Sequence, residues 1–169
     1  MTSRRQFLRT GLLGTLLLAT LRAVPAQAQR ALSRTPLSAE QRAVLTAVAP
    51  VLLAGALPEG EQRADAVRAV VEGVEQAIAG LPPHLQAELD QLFTLLTFAP
   101  TRWLVAGVSS PWPRASAAEV FAFLESWRTS WLALLQSGYH ALHELVMAAW
   151  YARPESWTAL RYPGPPVLP

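Results

Sequence analysis

Apolar residues recur every three or four positions along most of the chain between residues 38 and 151. This spacing is typical of amphipathic helices, and no useful length of sequence shows the alternation that indicates half-buried strands. The sequence therefore predicts an all-α fold. We expect a small irregular helical bundle with a long C-terminal helix and an extended proline-rich tail, YPGPPVLP.

Two serines mark the starts of the first and last predicted helices. Ser38 and Ser116 are each followed three residues later by Gln or Glu, which is the spacing of a capping box. The last helical pattern continues to about Tyr151 and, if unbroken, would be about 54 Å long, which exceeds the width of a domain of this size. We therefore expect a bend or break near Thr129 or Gly138, although Gly138 could instead let a neighbouring helix approach closely.

Prolines and a glycine mark the other boundaries. Pro50 is expected to kink or end the first helix, because proline lacks the N–H that a helix interior needs. A second helix should run from about Glu61 to Ala79, with Gly80 after its end, and a third should start at two prolines and end at Pro100. Trp112 stands between two further prolines, and we expect its ring to lie in the core.

The N-terminus has the features of an export signal. Residues 11–21, GLLGTLLLATL, have the length of a signal h-region and are too short to cross a bilayer of ~30 Å as a helix. The preceding SRRQFLR is similar to the twin-arginine signal at every defined position, except that Arg9 replaces lysine. An ordinary secretory signal and an uncleaved anchor are the alternatives. The residues predicted to be recognised by the twin-arginine translocase are Arg4, Arg5, Phe7 and Leu8.

Ala26 and Ala28 form a small-x-small pattern after the h-region, which predicts cleavage after Ala28, so that the mature chain starts at Gln29. We therefore divide the chain into a twin-arginine signal peptide, residues 1–28, and a single all-α domain, residues 29–169. The signal contains four of the fourteen arginines and none of the twelve acids, which leaves ten arginines and a net charge of −2. The mature chain thus lacks the charge of a nucleic-acid-binding protein.

Patterns that support catalysis are sparse. The chain has no cysteine, which excludes disulfides, thiolate metal sites and covalent c-type haem attachment. His140, His143 and Glu144 could offer metal ligands from one helix, but one helix does not close a site, and a polar helix edge is the simpler interpretation. No nucleophile elbow or phosphate loop occurs. We predict no catalytic residue, no metal and no cofactor in this chain.

Aromatic residues are concentrated in the last quarter of the chain. Such rings dominate both cores and interface hot spots, and a small helical core needs only some of them. The tail cannot be helical and is expected to lie along another surface. The residues predicted at a partner interface are Trp131, Trp150, Tyr151, Trp157, Tyr162, Pro163, Gly164 and Pro165.

These features together resemble a known family, the gluconate 2-dehydrogenase subunit 3 family of small subunits that accompany membrane-associated flavin dehydrogenases. The resemblance covers most of the chain. It rests on SRRQFLR, on LSAEQRAVLTAVAP, on FLESWRTSWLALLQSGYHALHELVMAAWY, and above all on YARPESWTALRYPGPP, which is similar to the family's closing Tyr-x-x-Pro-x-x-Trp…Tyr-Pro-Gly-Pro pattern. Two departures, APVLLAGALPEG in place of a common Ile-Pro-x-Asp and Arg161 in place of a common glycine, leave open which dehydrogenase it serves.

The resemblance implies a non-catalytic subunit that binds, stabilises and co-exports a large FAD-dependent oxidoreductase of the glucose-methanol-choline type. FAD is then expected in the partner, and a multihaem cytochrome c often forms the third subunit. A flavoprotein that takes up FAD in the cytoplasm needs a route for folded proteins, and one signal can serve both chains. We expect a periplasmic location, with membrane association through partners left open. The alternative is an independent periplasmic helical protein that binds a small ligand.

Overall fold

Seven α-helices, a π-helical turn and a 3-10 turn form the fold of residues 37–160, the part of the chain that a computed structural model describes. These residues include no strand, which confirms the predicted all-α class. The helices are α1 (Ala39–Leu52), α2 (Gln62–Gly80), α3 (Pro83–Thr97), α4 (Ala99–Thr101), α5 (Ala117–Arg128), α6 (Ala133–Tyr151) and α7 (Pro154–Leu160). The π-helical turn is Arg102–Ala106, and the 3-10 turn is Trp112–Arg114. The predicted signal peptide, its cleavage site and the proline-rich tail lie outside the described residues.

Both predicted capping boxes are present. The Ser38 hydroxyl accepts the N–H of Gln41 at 3.2 Å, and the Gln41 side chain accepts the N–H of Ser38 at 2.8 Å. Ser116 and Glu119 form the same reciprocal pair at 3.2 Å and 3.0 Å. Each box satisfies two backbone donors that the first turn of a helix leaves unpaired, so α1 and α5 begin where the sequence predicts.

Helix α1 lies at the centre of the bundle, where it contacts α2, α3, α5, α6 and the 3-10 turn. Burial of its apolar residues on several sides removes them from water and holds the surrounding helices together. The buried residues of α1 are Val44, Leu45, Val48 and Ala49. Pro50 lies in the last turn of α1, and the helix ends two residues later at Leu52.

Helices α2 and α6 pack closely along each other. Gly73 of α2 faces α6, and a Cβ added to it would lie 3.2 Å from the Cβ of Ala149. The small side chains at these two positions let the helix backbones approach. Val67 and Val74 of α2 are buried, whereas Ala64 in its first turn is exposed.

The predicted long C-terminal helix is broken at the first of the two positions proposed for a break. Helix α5 ends at Arg128, and both the N–H and the hydroxyl of Thr129 donate to the C=O of Glu125. Helix α6 then begins at Ala133 and continues without interruption through Gly138. Gly138 therefore allows close packing against a neighbouring helix, because it lies buried against the ring of Trp127 from α5.

Candidate docking surface

Six large apolar side chains are exposed in two stretches of the chain. The first, residues 98–104, runs from the end of α3 into the π-helical turn, and the second, residues 131–134, runs from the α5–α6 connection into the first turn of α6. Their exposed fractions lie between 40% and 79%. We call this set the apolar patch: Phe98, Trp103, Leu104, Trp131, Leu132 and Leu134. Large exposed apolar patches are typical of sites that bind another protein, a membrane or a ligand.

Trp127 joins the two segments of the apolar patch. Its indole Nε1 donates to the C=O of Val105 at 3.0 Å, and its ring lies against Gly138. Leu104 precedes Val105 in the π-helical turn, and Leu134 lies one helical turn before Gly138. The same buried ring thus holds the π-helical turn and the start of α6, which carry exposed residues of the patch.

Pro100 determines how the chain leaves α3. In a continuous helix residue 100 would donate its N–H to the C=O of Leu96, but proline has no N–H. The indole Nε1 of Trp112 donates to that carbonyl at 2.8 Å, and the Thr101 hydroxyl donates to the C=O of Leu95. Trp112 is buried, which confirms the predicted core position. Side chains therefore replace the backbone donors that the end of α3 lacks.

The π-helical turn is closed by hydrogen bonds at its end. The N–H groups of Gly107 and Val108 both donate to the C=O of Arg102. Gly107 has a φ of 68°, a left-handed conformation that favours glycine. The Arg102 Nε donates to the C=O of Val108 at 3.4 Å, which orients the guanidinium. The side chains of Trp103 and Leu104 are exposed on this hydrogen-bonded turn.

Carboxylates are absent from the two segments that form the apolar patch. The sequence contains no acid between Asp90 and Glu119, and none between Glu125 and Glu144. Arg128 forms an ion pair with Glu125 at 2.6 Å. Arg102 forms no ion pair within residues 37–157, so it contributes an uncompensated positive charge beside the patch.

The predicted interface residues differ in their exposure. Trp131 is 79% exposed and Tyr151 is 43% exposed, whereas Trp150 lies in the core. Trp157 is half-buried, and its Nε1 donates to the C=O of Tyr151 at 2.8 Å, which joins α7 to the end of α6. The remaining predicted residues lie outside the described residues: Tyr162, Pro163, Gly164 and Pro165.

The sequence pattern did not identify Phe98, Trp103 and Leu104 as exposed residues. Their segment has no clear helical stripe, because the chain turns there around Pro100 and then forms a π-helical turn. Two signals could have identified it: adjacent tryptophan and leucine directly after an arginine, and a long interval without carboxylates. Tryptophan and arginine are both enriched at interface hot spots.

The histidines do not gather into a site in the described part of the chain. His140 and His143 lie near Tyr139, with ring centroids 5.5 Å and 5.7 Å from its own. No group of three histidine, cysteine, aspartate or glutamate side chains there could hold a metal ion. None of the described helices is both long enough and apolar enough to cross a membrane.

A groove of about 610 Å³ lies between α1 and α2. Val67 and Val71 contribute apolar surface to it, and arginines line its edge. Two of these arginines are paired with carboxylates, Arg42 with Glu75 and Arg68 with Asp65, whereas Arg63 forms no ion pair within the described residues. The groove is a second candidate site, suited to a small ligand with an apolar body and an anionic group.

Comparison with known proteins gives no match to a protein family, to a curated protein or to a solved structure.

Proposed function

We propose that this protein is the non-catalytic small subunit of a flavin-dependent dehydrogenase complex. It binds and stabilises a large FAD-dependent subunit of the glucose-methanol-choline type and carries it through the twin-arginine pathway to the periplasm. The structural observation that supports this proposal is the apolar patch, whose exposed tryptophans and leucines suit a chain that functions in a complex.

The sequence supports the identity of the partner and the export route. The ending YARPESWTALRYPGPP resembles the closing pattern of the small-subunit family, and SRRQFLR resembles the twin-arginine signal. In the described structure Trp157 contacts the end of α6 through its hydrogen bond to Tyr151. Tyr151 is the exposed first residue of the closing pattern, so this hydrogen bond joins two residues of the pattern that could contribute to a second partner contact.

The test is co-expression of the full chain with the flavoprotein encoded beside it. Deletion of residues 1–28 should leave the flavoprotein active but cytoplasmic. Replacement of Trp157 and Tyr162 with alanine should release the flavoprotein from an exported small subunit. The loss of large rings at an interface commonly costs ~2 kcal/mol or more each, which weakens binding about thirtyfold per site.

Phe121→Ala is the matched control, because Phe121 is an exposed aromatic of α5 that belongs neither to the apolar patch nor to the closing pattern. The variant should retain the flavoprotein. If Trp157 and Tyr162 serve only the fold, their replacement will lower the melting temperature of the small subunit without a separate loss of binding. A flavoprotein that reaches the periplasm without this chain, or never co-purifies with it, contradicts the proposal.

The groove between α1 and α2 favours a second candidate function, an independent periplasmic ligand-binding protein. Arg63 could pair with a carboxylate while Val67 and Val71 contact an apolar body. Octanoate is a suitable probe. A rise in the melting temperature of the mature protein with octanoate, lost in Arg63→Gln, would support this function, whereas no rise at millimolar octanoate would count against it.

A further inference from the structure

The apolar patch rests on a rigid base. Trp127 is 1% exposed and holds the π-helical turn through Val105, and Gly138 holds the ring from the other side. A binding surface that is already ordered loses little conformational entropy when a partner docks. The exposed side chains of Trp103 and Leu104 are therefore carried by a backbone turn that is closed by hydrogen bonds.

Arg102 directly precedes Trp103 and Leu104 and has hydrogen-bond donors that no described residue uses. Its Nε donates to the C=O of Val108, and its two terminal nitrogens have no hydrogen-bond partner within the described residues. A guanidinium offers donors in a planar fork that matches the two oxygens of a carboxylate. No carboxylate forms an ion pair with Arg102 within residues 37–157, and the sequence contains no acid between Asp90 and Glu119.

The number of charges favours a protein over a lipid surface as the occupant of the patch. Attraction to anionic membranes depends on clusters of about four to eight basic residues. Near the patch Arg128 is neutralised by Glu125, which leaves Arg102 beside the π-helical turn. One arginine next to exposed tryptophan is instead the composition of an interface hot spot.

We infer that Arg102, Trp103 and Trp131 form the hot spot through which this chain binds its large subunit, and that the facing surface of that subunit is apolar and carries a carboxylate that pairs with Arg102. The inference rests on the proposed function and adds to it the surface and the chemistry of the partner. Apolar contact supplies most of the affinity, and the ion pair fixes the orientation of the two chains.

Binding of the purified full chain to the co-encoded flavoprotein, measured at low and high salt, tests the inference. We expect Trp103→Ala and Trp131→Ala each to weaken binding at least about tenfold. Arg102→Gln should weaken binding about tenfold at low salt and remove most of its salt dependence, with partial rescue by Arg102→Lys. Arg114→Gln, at an arginine of the 3-10 turn, is the matched control and should bind as the wild type.

Thermal melts check that each variant folds, which we expect because the changed side chains are at the surface. If the wild type binds the flavoprotein and all three variants bind equally well, the inference is overturned while the proposed function survives. If the wild type does not bind at all, the proposed function fails. Sedimentation with phosphatidylglycerol vesicles completes the test. If the patch variants lose vesicle binding but still bind the flavoprotein, the patch binds lipid and the inference is overturned.

Discussion

The ring of Trp127 lies where a side chain at residue 138 would have to be. A Cβ added to Gly138 would lie 2.5 Å from Cζ3 of Trp127 and 3.3 Å from Cδ1 of Leu92. Two carbon atoms in van der Waals contact lie about 3.5–4.0 Å apart, so the ring has this position only because residue 138 is glycine. The same ring donates to Val105, and the fit at Gly138 therefore contributes to the position of the π-helical turn.

We expect Gly138→Ala to destabilise the fold. The added methyl group must displace a fully buried indole, and overpacking of this kind costs about 1–3 kcal/mol in the free energy of unfolding. Urea unfolding of the mature protein measures the change. Gly80→Ala is the matched control, because nothing lies within 4 Å of a Cβ at residue 80, and it should be neutral or slightly stabilising. Equal stability of Gly138→Ala and wild type would contradict the close contact.

Replacement of Trp112 with phenylalanine should also destabilise the protein. The change keeps an aromatic ring but removes the donor for the Leu96 carbonyl, which Pro100 cannot supply. A buried acceptor left without a partner costs about 1–3 kcal/mol. The measurement is the urea midpoint, compared with Trp103→Phe, whose ring is exposed. A midpoint for Trp112→Phe as high as that of Trp103→Phe would show that the hydrogen bond contributes little.

Local chemistry explains why much of the fold could be predicted from the sequence. The capping boxes at Ser38 and Ser116 involve residues three positions apart, so their spacing alone indicates where α1 and α5 begin. A break near Thr129 or Gly138 could be predicted because a single rod would be longer than the domain is wide, but the length alone does not choose between the two positions. The buried position of Trp112 followed from the prolines beside it.

The apolar patch could be predicted only in part, because it depends on contacts between distant parts of the chain. Trp131 was predicted as an interface residue, but nothing in the spacing of residues distinguishes it from Trp150, which the fold buries. Trp103 could not be predicted because its exposure depends on a π-helical turn. That turn is held by the indole of Trp127, which lies 22 residues after its hydrogen-bond acceptor Val105. Helical periodicity indicates the apolar face of one helix and does not predict a contact between residues far apart in the sequence.

Glu119 gives the stability of the protein a dependence on acid pH. It accepts hydrogen bonds from the N–H and hydroxyl of Ser116 and from the hydroxyls of Ser109 and Ser110, and these bonds lower the pKa of Glu119 below its ordinary value of 4.5. The folded state then binds fewer protons than the unfolded state. The stability that Glu119 contributes is present above about pH 4.5 and is lost as the pH falls through the lowered pKa.

Melting temperatures between pH 7 and pH 3 test this dependence. Glu119→Gln should lower the melting temperature at pH 7, and its decline towards acid pH should be shallower than that of the wild type. Asp90→Asn should make the decline steeper than that of the wild type. Burial raises the pKa of Asp90, so the folded state takes up a proton more readily than the unfolded state and gains stability at acid pH, which the variant loses. Parallel curves for Glu119→Gln and the wild type would contradict the assignment.

The paired arginines of the N-terminus make the export route testable without the partner. Changing Arg4 and Arg5 to lysine keeps both charges but removes the guanidinium groups that distinguish a twin-arginine signal, so export should stop and the precursor should remain in the cytoplasm. Arg9→Lys is the matched control, since it brings the sequence closer to the twin-arginine pattern and should leave export intact. Cell fractionation and the rate of signal cleavage measure both variants. Processing of the double variant at the wild-type rate would instead indicate an ordinary secretory signal, which tolerates lysine because it requires only positive charge before the apolar run.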